Sequence, residues 1–529
     1  MKIVLISTYE LGRQPFGLAS PAAWLREAGA DVTCVDVSRQ PLPEDAVRGA
    51  DLIAFYAPMH TATRLAIALL PTVRELNSRA RLCFYGLYAP VNDAYLRGLG
   101  VDFIIGGEFE EPLARLVGEA SGNSNGDKSE IDSSGVKTPE ERENHMSELK
   151  LRPPKPQRPV AVSPTSPESD SVEFVPGASA GLKLPASNLK RTVETTEDQP
   201  PASISLGRQK FRVPDRAGLP LLEKYARLLM PDGESRVTGY TEASRGCKHL
   251  CRHCPIVPVY NGVFRIVDRE VVLEDIRRQV AAGAQHITFG DPDFFNGIGH
   301  AIPLVEALHR DFPRLTYDVT IKVEHLLKHR DCLPKLRDTG CLFVTSAVES
   351  VDDKVLEKLE KNHTRTDFLR TVELFREASL TLAPTFVAFT PWTTLETYCD
   401  LLETIRTHDL IENVPPIQLA IRLLIPAGSR LLELGDVQTI VEPFDREKLV
   451  YPWKHADTRV DTLCERLQDI VHSGEKMKLP RARIFRRIEE AAYEAAGREC
   501  TEPDAASYRA MPVLASRATI PYLNEPWYC

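Results

Sequence analysis

The chain has 529 residues and a formal net charge of -9, with 65 basic and 74 acidic side chains. This length predicts two or three domains, and the acidic balance without a long basic run argues against a nucleic-acid partner. The opening MKIVLIS is too short for a signal peptide, and no segment reaches the roughly 18 apolar residues of a membrane helix. We therefore expect a cytoplasmic protein without a membrane partner, whose 11 cysteines are mostly scattered reduced thiols.

Residues 1–118 alternate apolar strands with helical patterns, which is typical of a doubly wound sheet. Gly86 and Gly106–Gly107 follow predicted strands, where a ligand could approach the backbone. His60 is the only histidine of this segment, and we expect it to make a loop contact. The predicted strands are Lys2–Ile6, Val32–Val35, Leu52–Phe55, Arg81–Tyr85 and Phe103–Ile105, with helices beginning near Ala19, Thr61, Asp93 and Glu111.

Residues 119–210 are rich in Ser, Pro, Glu, Thr and Lys and lack apolar periodicity. Such a segment buries too little apolar surface to offset the entropy cost of ordering. We expect a disordered insert between two folded parts. The piece LRPPKPQRP is also compatible with a docking ligand.

Three cysteines, Cys247, Cys251 and Cys254, have the spacing C-x3-C-x2-C. Three thiols in one loop suit a cubane iron–sulfur cluster and leave its fourth iron without a protein ligand. A structural zinc site is an alternative, but no matching fourth ligand follows, although His249 and His253 lie inside the loop. A disulfide with a spare thiol would need an oxidising compartment.

The cysteine loop lies between a predicted strand, Arg236–Ala243, and a predicted helix, Asp268–Ala282. Barrel enzymes build their sites at such strand ends. The motif in this setting resembles the radical SAM superfamily, which implies a partial (β/α) TIM-type barrel over residues 211–440. The resemblance also implies that the three thiolates bind a [4Fe-4S] cluster. S-adenosylmethionine (SAM) would chelate the open iron, and one electron from a flavodoxin, ferredoxin or reductase would break a carbon–sulfur bond.

Further candidate residues follow the next predicted strands, Gln285–Phe289, Thr316–Val323, Leu342–Val348, Leu382–Phe389 and Ile417–Leu424. The run AVES resembles the GIES strand end of the superfamily, and GDPDFF resembles a turn beside the cofactor's amino group. Each of these residues also has a structural alternative to a cofactor contact. The GDPDFF segment could be a solvated turn capped by its Asp residues, His253 an exposed loop imidazole, and Arg422 a partner in an internal salt bridge. The candidate cofactor contacts are His253, Gly290, Asp291, Asp293, Lys322, Glu349, Ser350 and Arg422.

Residues 1–118 resemble the cobalamin-binding domain that precedes the barrel in one large radical SAM subgroup. The base-off motif of many such domains contains a histidine, but the loop after the first strand here reads STYELG. Some relatives bind cobalamin without a histidine ligand, so cobalamin is kept as a candidate cofactor.

Residues 441–529 read as a C-terminal helical subdomain, with helices predicted at Thr458–Ser473 and Arg481–Ala496. The chain ends in NEPWYC. Together with STYELGRQPFG, PMHTATRLA, FGDPDFFNG, IKVEHLLKHR and FTPWTTLE, this ending resembles the CUAEP/CCAEP-tail radical SAM proteins. In that family, Cys or selenocysteine followed by Ala-Glu-Pro comes next. We hypothesise either that a UGA selenocysteine codon after Cys529 was read as a stop or that the protein ends there, and the codons after Cys529 would distinguish the two.

A thiol pair, or a thiol with a selenol, on a tail is a soft-donor trap for a thiophilic atom. The group is similar to the radical SAM enzyme of arsinothricin biosynthesis, which transfers the 3-amino-3-carboxypropyl group of SAM to trivalent arsenic. The resemblance therefore implies that Cys529 presents As(III); if no residue follows it, Cys500 or Cys464 is a candidate for the second thiol. Two other interpretations stay open: a cobalamin-dependent radical methylase or rearrangement enzyme, and a non-catalytic zinc scaffold.

Overall fold

A computed structural model describes residues 1–120, 203–498 and 518–524. Most of the expected insert at 119–210 lies outside these residues, as do Cys500 and Cys529. Within the part of the chain that is described, no helix is long and apolar enough to cross a bilayer.

The N-terminal part contains a parallel sheet with helices on its two faces. Its strands are β1 (Lys2–Ser7), β2 (Asp31–Asp36), β3 (Leu52–Tyr56), β4 (Arg81–Tyr85), β5 (Phe103–Gly107) and β6 (Ser203–Ser205). The order is β2-β1-β3-β4-β5-β6. The helices are α1 (Phe16–Glu27), α2 (Glu44–Arg48), α3 (His60–Leu76), α4 (Tyr88–Val91), α5 (Asp93–Gly98) and α6 (Glu110–Ala120). Apolar clusters on both faces confirm the doubly wound architecture.

Strand β6 lies within the segment that was predicted to be a disordered insert. Ser203 pairs with Ile105 and Ser205 pairs with Gly107, so the segment after the insert completes the N-terminal sheet. The expected insert boundary at residue 210 is therefore too late. A three-residue polar edge strand has no apolar alternation from which it could be predicted.

The second sheet is a partial barrel. Its strands are β7 (Arg227–Leu229), β8 (Ser235–Thr241), β11 (His286–Phe289), β12 (Thr316–Thr320), β13 (Cys341–Glu349), β14 (Thr381–Phe386) and β15 (Tyr522–Leu523). A separate antiparallel pair is formed by β9 (Ser244–Gly246) and β10 (Phe264–Ile266). The barrel order is β14-β13-β12-β11-β8-β7-β15. Strands β8 and β11 to β14 are parallel, whereas β7 is antiparallel to both of its neighbours.

Helices follow the parallel strands, as in a βα barrel. The helices of this part of the chain are α7 (Val257–Tyr260), α8 (Arg269–Ala281), α9 (Ile298–Asp311), α10 (Val323–Lys328), α11 (Leu333–Asp338), α12 (Asp353–Lys358), α13 (Arg365–Glu377), α14 (Leu395–Thr407), α15 (Gly435–Gln438), α16 (Thr458–Lys476) and α17 (Arg481–Ala496). Short 3-10 turns lie at Leu222–Lys224, Phe294–Gly297, Arg330–Cys332, Pro416–Leu419 and Arg430–Glu433. Buried side chains of α16 and α17 join the barrel core.

Two predicted strands are wrong in part. The prediction Ile417–Leu424 is not a strand: Pro416–Leu419 forms a 3-10 turn, and only a single bridge joins Arg422 to Phe389. Pro415 and Pro416 lack the N–H groups that a ladder needs, which explains the failure. Strand β12 ends at Thr320, so Lys322 precedes helix α10 instead of lying in the strand.

Candidate functional site

The loop that carries the three cysteines follows β8 and is closed at its base by β9 and β10. Gly246 has a φ of 68°, and a Cβ there would lie 2.3 Å from the carbonyl oxygen of Val263. Only glycine meets both conditions without strain. The two-strand base therefore directs the chain from the barrel strand into the cysteine loop.

The three cysteines are enclosed by protein and contact polar groups from other elements. Cys247 and Cys251 are buried, and Cys254 is half-buried. The Nδ2 of Asn296 lies 3.6 Å from the Cys247 sulfur, and Nζ of Lys322 lies 3.8 Å from the Cys251 sulfur. Such donors stabilise negative charge on the sulfur ligands of a metal centre.

Burial opposes ionisation of two of the three thiols, Cys247 and Cys254. Burial raises the pKa of Cys254 to about 12 and also raises the pKa of Cys247. Iron binds the thiolate form, so cluster binding would release these protons. The donor set fits a [4Fe-4S] cluster, which takes thiolate ligands.

Glu349 terminates β13 and forms a buried ion-pair group. Its Oε1 lies 3.1 Å from Nε2 of His253 and 3.3 Å from Nζ of Lys361. Burial alone would raise the pKa of Glu349, but Lys361 and His253 outweigh burial and lower it to about 2. Glu349 also has a left-handed φ of 69°, an uncommon conformation outside glycine that is often found at functional sites.

Asp293 lies under the other side of the cysteine loop. Its Oδ1 accepts hydrogen bonds from the backbone N–H groups of Phe295 and Lys322, at 3.3 and 3.4 Å. Burial raises the pKa of Asp293, while His249 and His325 lower it more strongly, to about 2. Asp293 is therefore a buried carboxylate in the ionised state.

Gly290 and Asp291 position the start of the loop. Asp291 Oδ2 accepts from the backbone N–H of Ala243 at 2.9 Å, and its Oδ1 accepts from the Ser244 hydroxyl. Burial raises the pKa of Asp291 to about 7. A Cβ at Gly290 would lie 1.8 Å from the Tyr240 hydroxyl. Both residues thus have packing roles beside any cofactor role.

Two of the candidate cofactor contacts, Arg422 and Ser350, interact with other groups of the protein. Arg422 forms the internal salt bridge of the ordinary alternative, with Asp461 at 2.6 Å, and its guanidinium lies 3.6 Å from the centre of the Trp453 ring. The Ser350 hydroxyl accepts from the backbone N–H of Asp352 at 3.1 Å, as in a turn. Cofactor contact by Ser350 stays a prediction.

Sequence reasoning missed Lys361, His325 and Asn296. Lys361 is 3 % exposed, and buried lysines are rare unless they are paired. The charged run DDKVLEKLEKNH gave no sign that this one lysine turns inward. His325 was noticed only as a neighbour of Lys322, and its contact with Asp293 joins residues far apart in sequence.

The N-terminal glycines pack closely against the chain on the side where a Cβ would project, and ligand approach to their backbone stays a prediction. A Cβ at Gly86 would lie 2.8 Å from the Ala57 carbonyl, one at Gly106 would lie 2.6 Å from Pro90, and one at Gly107 would lie 2.2 Å from the Ser205 carbonyl. The chain itself fills these spaces. His60 makes the expected loop contact, with the carbonyl of Lys448.

One buried arginine joins the N-terminal sheet to the cysteine loop. Arg245, two residues before Cys247, lies 2.6 Å from Glu110, 3.3 Å from Glu108 and 2.7 Å from Glu242. Its side chain is 6 % exposed. The two sheets are thus coupled next to the candidate site.

The barrel segment of the chain is similar in sequence to known proteins. Residues 241–407 match the Radical SAM superfamily. The chain is similar to the hopanoid C-3 methylase of Methylococcus capsulatus, with 26% identity over 151 residues, or 28% of this chain and 29% of that protein. It is also similar to the tRNA-2-methylthio-N(6)-dimethylallyladenosine synthase of Desulfosudis oleivorans, with 26% identity over 229 residues, or 40% and 45% of the two chains. The match thus spans less than half of each relative.

Solved structures share the fold over most of the chain. The radical S-adenosylmethionine methyltransferase TsrM from Kitasatospora setae has a TM-score of 0.53 at 16% identity, covering 77% of this chain and 72% of that one. The cobalamin-dependent S-adenosylmethionine radical enzyme OxsB has a TM-score of 0.62 at 12% identity, covering 90% and 67%. The motif, the sheet order and the family match agree, and residues 241–407 of this chain form a domain that matches the Radical SAM superfamily.

Proposed function

We propose that this protein cleaves SAM reductively and transfers the 3-amino-3-carboxypropyl group to trivalent arsenic. A [4Fe-4S] cluster on Cys247, Cys251 and Cys254 would supply the electron that breaks the carbon–sulfur bond and releases methylthioadenosine and an aminocarboxypropyl radical. Addition of this radical to arsenite, with a second electron from the same donor and loss of hydroxide, would form the carbon–arsenic bond. The observation that carries the cleavage step is the enclosed cysteine trio with Lys322 beside it. A flavodoxin, ferredoxin or reductase would deliver the electron.

The direction of the C-terminal strand supports the arsenic step. Leu523 pairs with Leu228, which pairs with Arg236 of β8, and both pairings are antiparallel. Strand β15 therefore runs parallel to β8, towards the edge where β8 leads into the cysteine loop. Cys529 follows Asn524 by five residues, which can reach at most about 17 Å when extended. A soft thiol on this tail suits a thiophilic atom.

Cys464 does not serve as the second thiol. It is 2 % exposed within the barrel core, and burial raises its pKa to about 11. A buried protonated thiol cannot bind As(III) on a tail. Cys500 lies outside the described residues, so Cys529 is the thiol on which the proposal rests.

Anaerobic reconstitution tests both steps. Protein with SAM, reductant and arsenite should form an organoarsenical carrying the aminocarboxypropyl group, with methylthioadenosine as the other half of SAM. Cys529→Ser should lower the arsenical while iron content stays unchanged. Only 5′-deoxyadenosine, in amounts that arsenite does not affect, would contradict the arsenic step.

A cobalamin-dependent methylase or rearrangement enzyme is the second candidate, favoured by the fold shared with OxsB and TsrM. Stoichiometric, coloured cobalamin binding by the reconstituted protein would support it. Protein with zinc and no iron would instead support a non-catalytic scaffold.

A further inference from the structure

Three side chains from separate elements converge beside the cysteine loop. His249 lies between the first two cysteines, Asp293 lies in the turn after β11, and His325 lies on α10. One ligand atom from each lies within 4.8 Å of the other two, and no other such group of three was found in the described part of the chain.

The converging atoms contact one another, but none of them makes a well-formed hydrogen bond. Asp293 Oδ2 lies 2.6 Å from Nδ1 of His325 and 3.4 Å from Nε2 of His249. None of these three atoms makes a hydrogen bond of normal geometry. The Asp293 side chain is 0% exposed and each imidazole 11%. Because buried polar atoms are almost always satisfied, three that face one point call for a shared ligand.

The surroundings hold the three side chains in place. The other carboxylate oxygen of Asp293 is already bound by the backbone N–H groups of Phe295 and Lys322. On the far side of His249, Oε2 of Glu324 lies 3.7 Å from Nδ1. A carboxylate behind a ligating imidazole is the usual way in which its orientation is set.

We propose that His249, Asp293 and His325 bind one divalent transition-metal ion, zinc or iron(II), separate from the cluster. Two imidazoles and one carboxylate are the donor set of open zinc sites and of non-haem iron sites. Three protein ligands leave coordination positions for an oxygen- or sulfur-bearing substrate. The site goes beyond the proposed function, since SAM cleavage requires only the cluster.

Cobalt(II) is a suitable probe, because its visible absorption reports coordination. A Cys247→Ser/Cys251→Ser/Cys254→Ser variant removes the thiol ligands and the cluster, so the experiment is independent of radical activity. It should bind one Co²⁺ per chain. Adding His325→Ala should weaken binding at least tenfold, whereas His329→Ala, whose ring lies 6.0 Å from that of His325, should leave it unchanged. Equal Co²⁺ binding with and without His325 would overturn the proposal.

The cluster-loaded protein gives a second readout. Metal analysis should find one further ion per chain, zinc or iron(II), in addition to the iron of the cluster. His325→Ala should lose this one ion and keep the cluster iron. Unchanged zinc and iron contents in this variant would contradict the site.

Discussion

Nε2 of His253, in the cysteine loop, lies 3.1 Å from Oε1 of Glu349 at the end of β13. Nζ of Lys361 contacts the same oxygen at 3.3 Å. Burial lowers the pKa of Lys361, but Glu349 and, after it, Cys251 raise it above its ordinary value. The cysteine loop is therefore linked to the end of β13 by charged groups.

Cys251→Ala should abolish the brown cluster and SAM cleavage while the fold is retained. The proposed cluster takes the Cys251 thiolate as a ligand, and alanine provides none. Iron content, visible absorbance and circular dichroism measure the outcome. Cys332→Ala, which changes a half-buried cysteine outside the motif, should keep the cluster. Full activity of the first variant would refute the assignment.

Glu349→Gln should destabilise the protein by about 3–5 kcal/mol, because it leaves the buried Lys361 cation without its partner. Denaturant unfolding at neutral pH measures the loss. Glu357→Gln changes an exposed acid and should shift stability by less than about 0.5 kcal/mol. Equal effects of the two substitutions would show that the buried pair is unimportant.

The same residue predicts acid sensitivity. The pKa of Glu349 is about 2 in the folded protein against an ordinary value of 4.5. Its contribution to stability is thus complete above pH 4.5 and is lost as the pH falls towards 2. The difference in unfolding free energy between wild type and Glu349→Gln should shrink over that interval, and a constant difference would contradict the charge argument.

His363 should lower stability at mildly acidic pH. Burial, reinforced by Lys361 and Lys322, lowers its pKa from 6.5 to about 4. The unfolded chain therefore takes up the proton first, and the unfolding free energy falls by about 3 kcal/mol between pH 6.5 and 4. Asp291 has a raised pKa and acts in the opposite direction, so the comparison is wild type against His363→Asn. The two pH profiles should diverge over this range, and parallel profiles would be contrary to expectation.

Gly290→Ala should disturb the start of the cysteine loop. The added Cβ would lie 1.8 Å from the hydroxyl of Tyr240, and overpacking of this kind costs about 1–3 kcal/mol. Gly299→Ala, on helix α9 with no atom within 4 Å of the new Cβ, should be neutral or slightly stabilising. Thermal unfolding and iron loading of both variants measure the difference, and similar values would show that Tyr240 moves aside freely.

Arg245→Met should uncouple the N-terminal sheet from the barrel. It leaves Glu108, Glu110 and Glu242 buried without their cation, at a cost of about 3–5 kcal/mol. The matched substitution Arg277→Met removes an exposed pair with Glu274 and should cost less than about 1 kcal/mol. Limited proteolysis and unfolding curves measure the change. An Arg245→Met variant that resists protease and denaturant as well as the wild type does would contradict this prediction.

The spacing of apolar residues was enough to predict most strands and the two long C-terminal helices. A strand or helix that buries one face repeats apolar residues at a regular interval along the sequence. Arg481–Ala496 and Arg81–Tyr85 are confirmed to the residue. The failures are local. Ile417–Leu424 has the apolar content of a strand but follows two prolines, and β6 is too short and polar to be recognised.

The sequence by itself determined the cysteine trio, its place after a barrel strand and the order of the later turns, since these depend on residues close together in the chain. Only the tertiary structure decided which charges meet: Lys361 with Glu349, Arg245 with three carboxylates, and two histidines with Asp293. These contacts join residues that are distant in sequence. Folding buries their charged side chains, and a buried charge without a partner costs several kcal/mol of stability. A linear pattern records each charge but not the partner that compensates it.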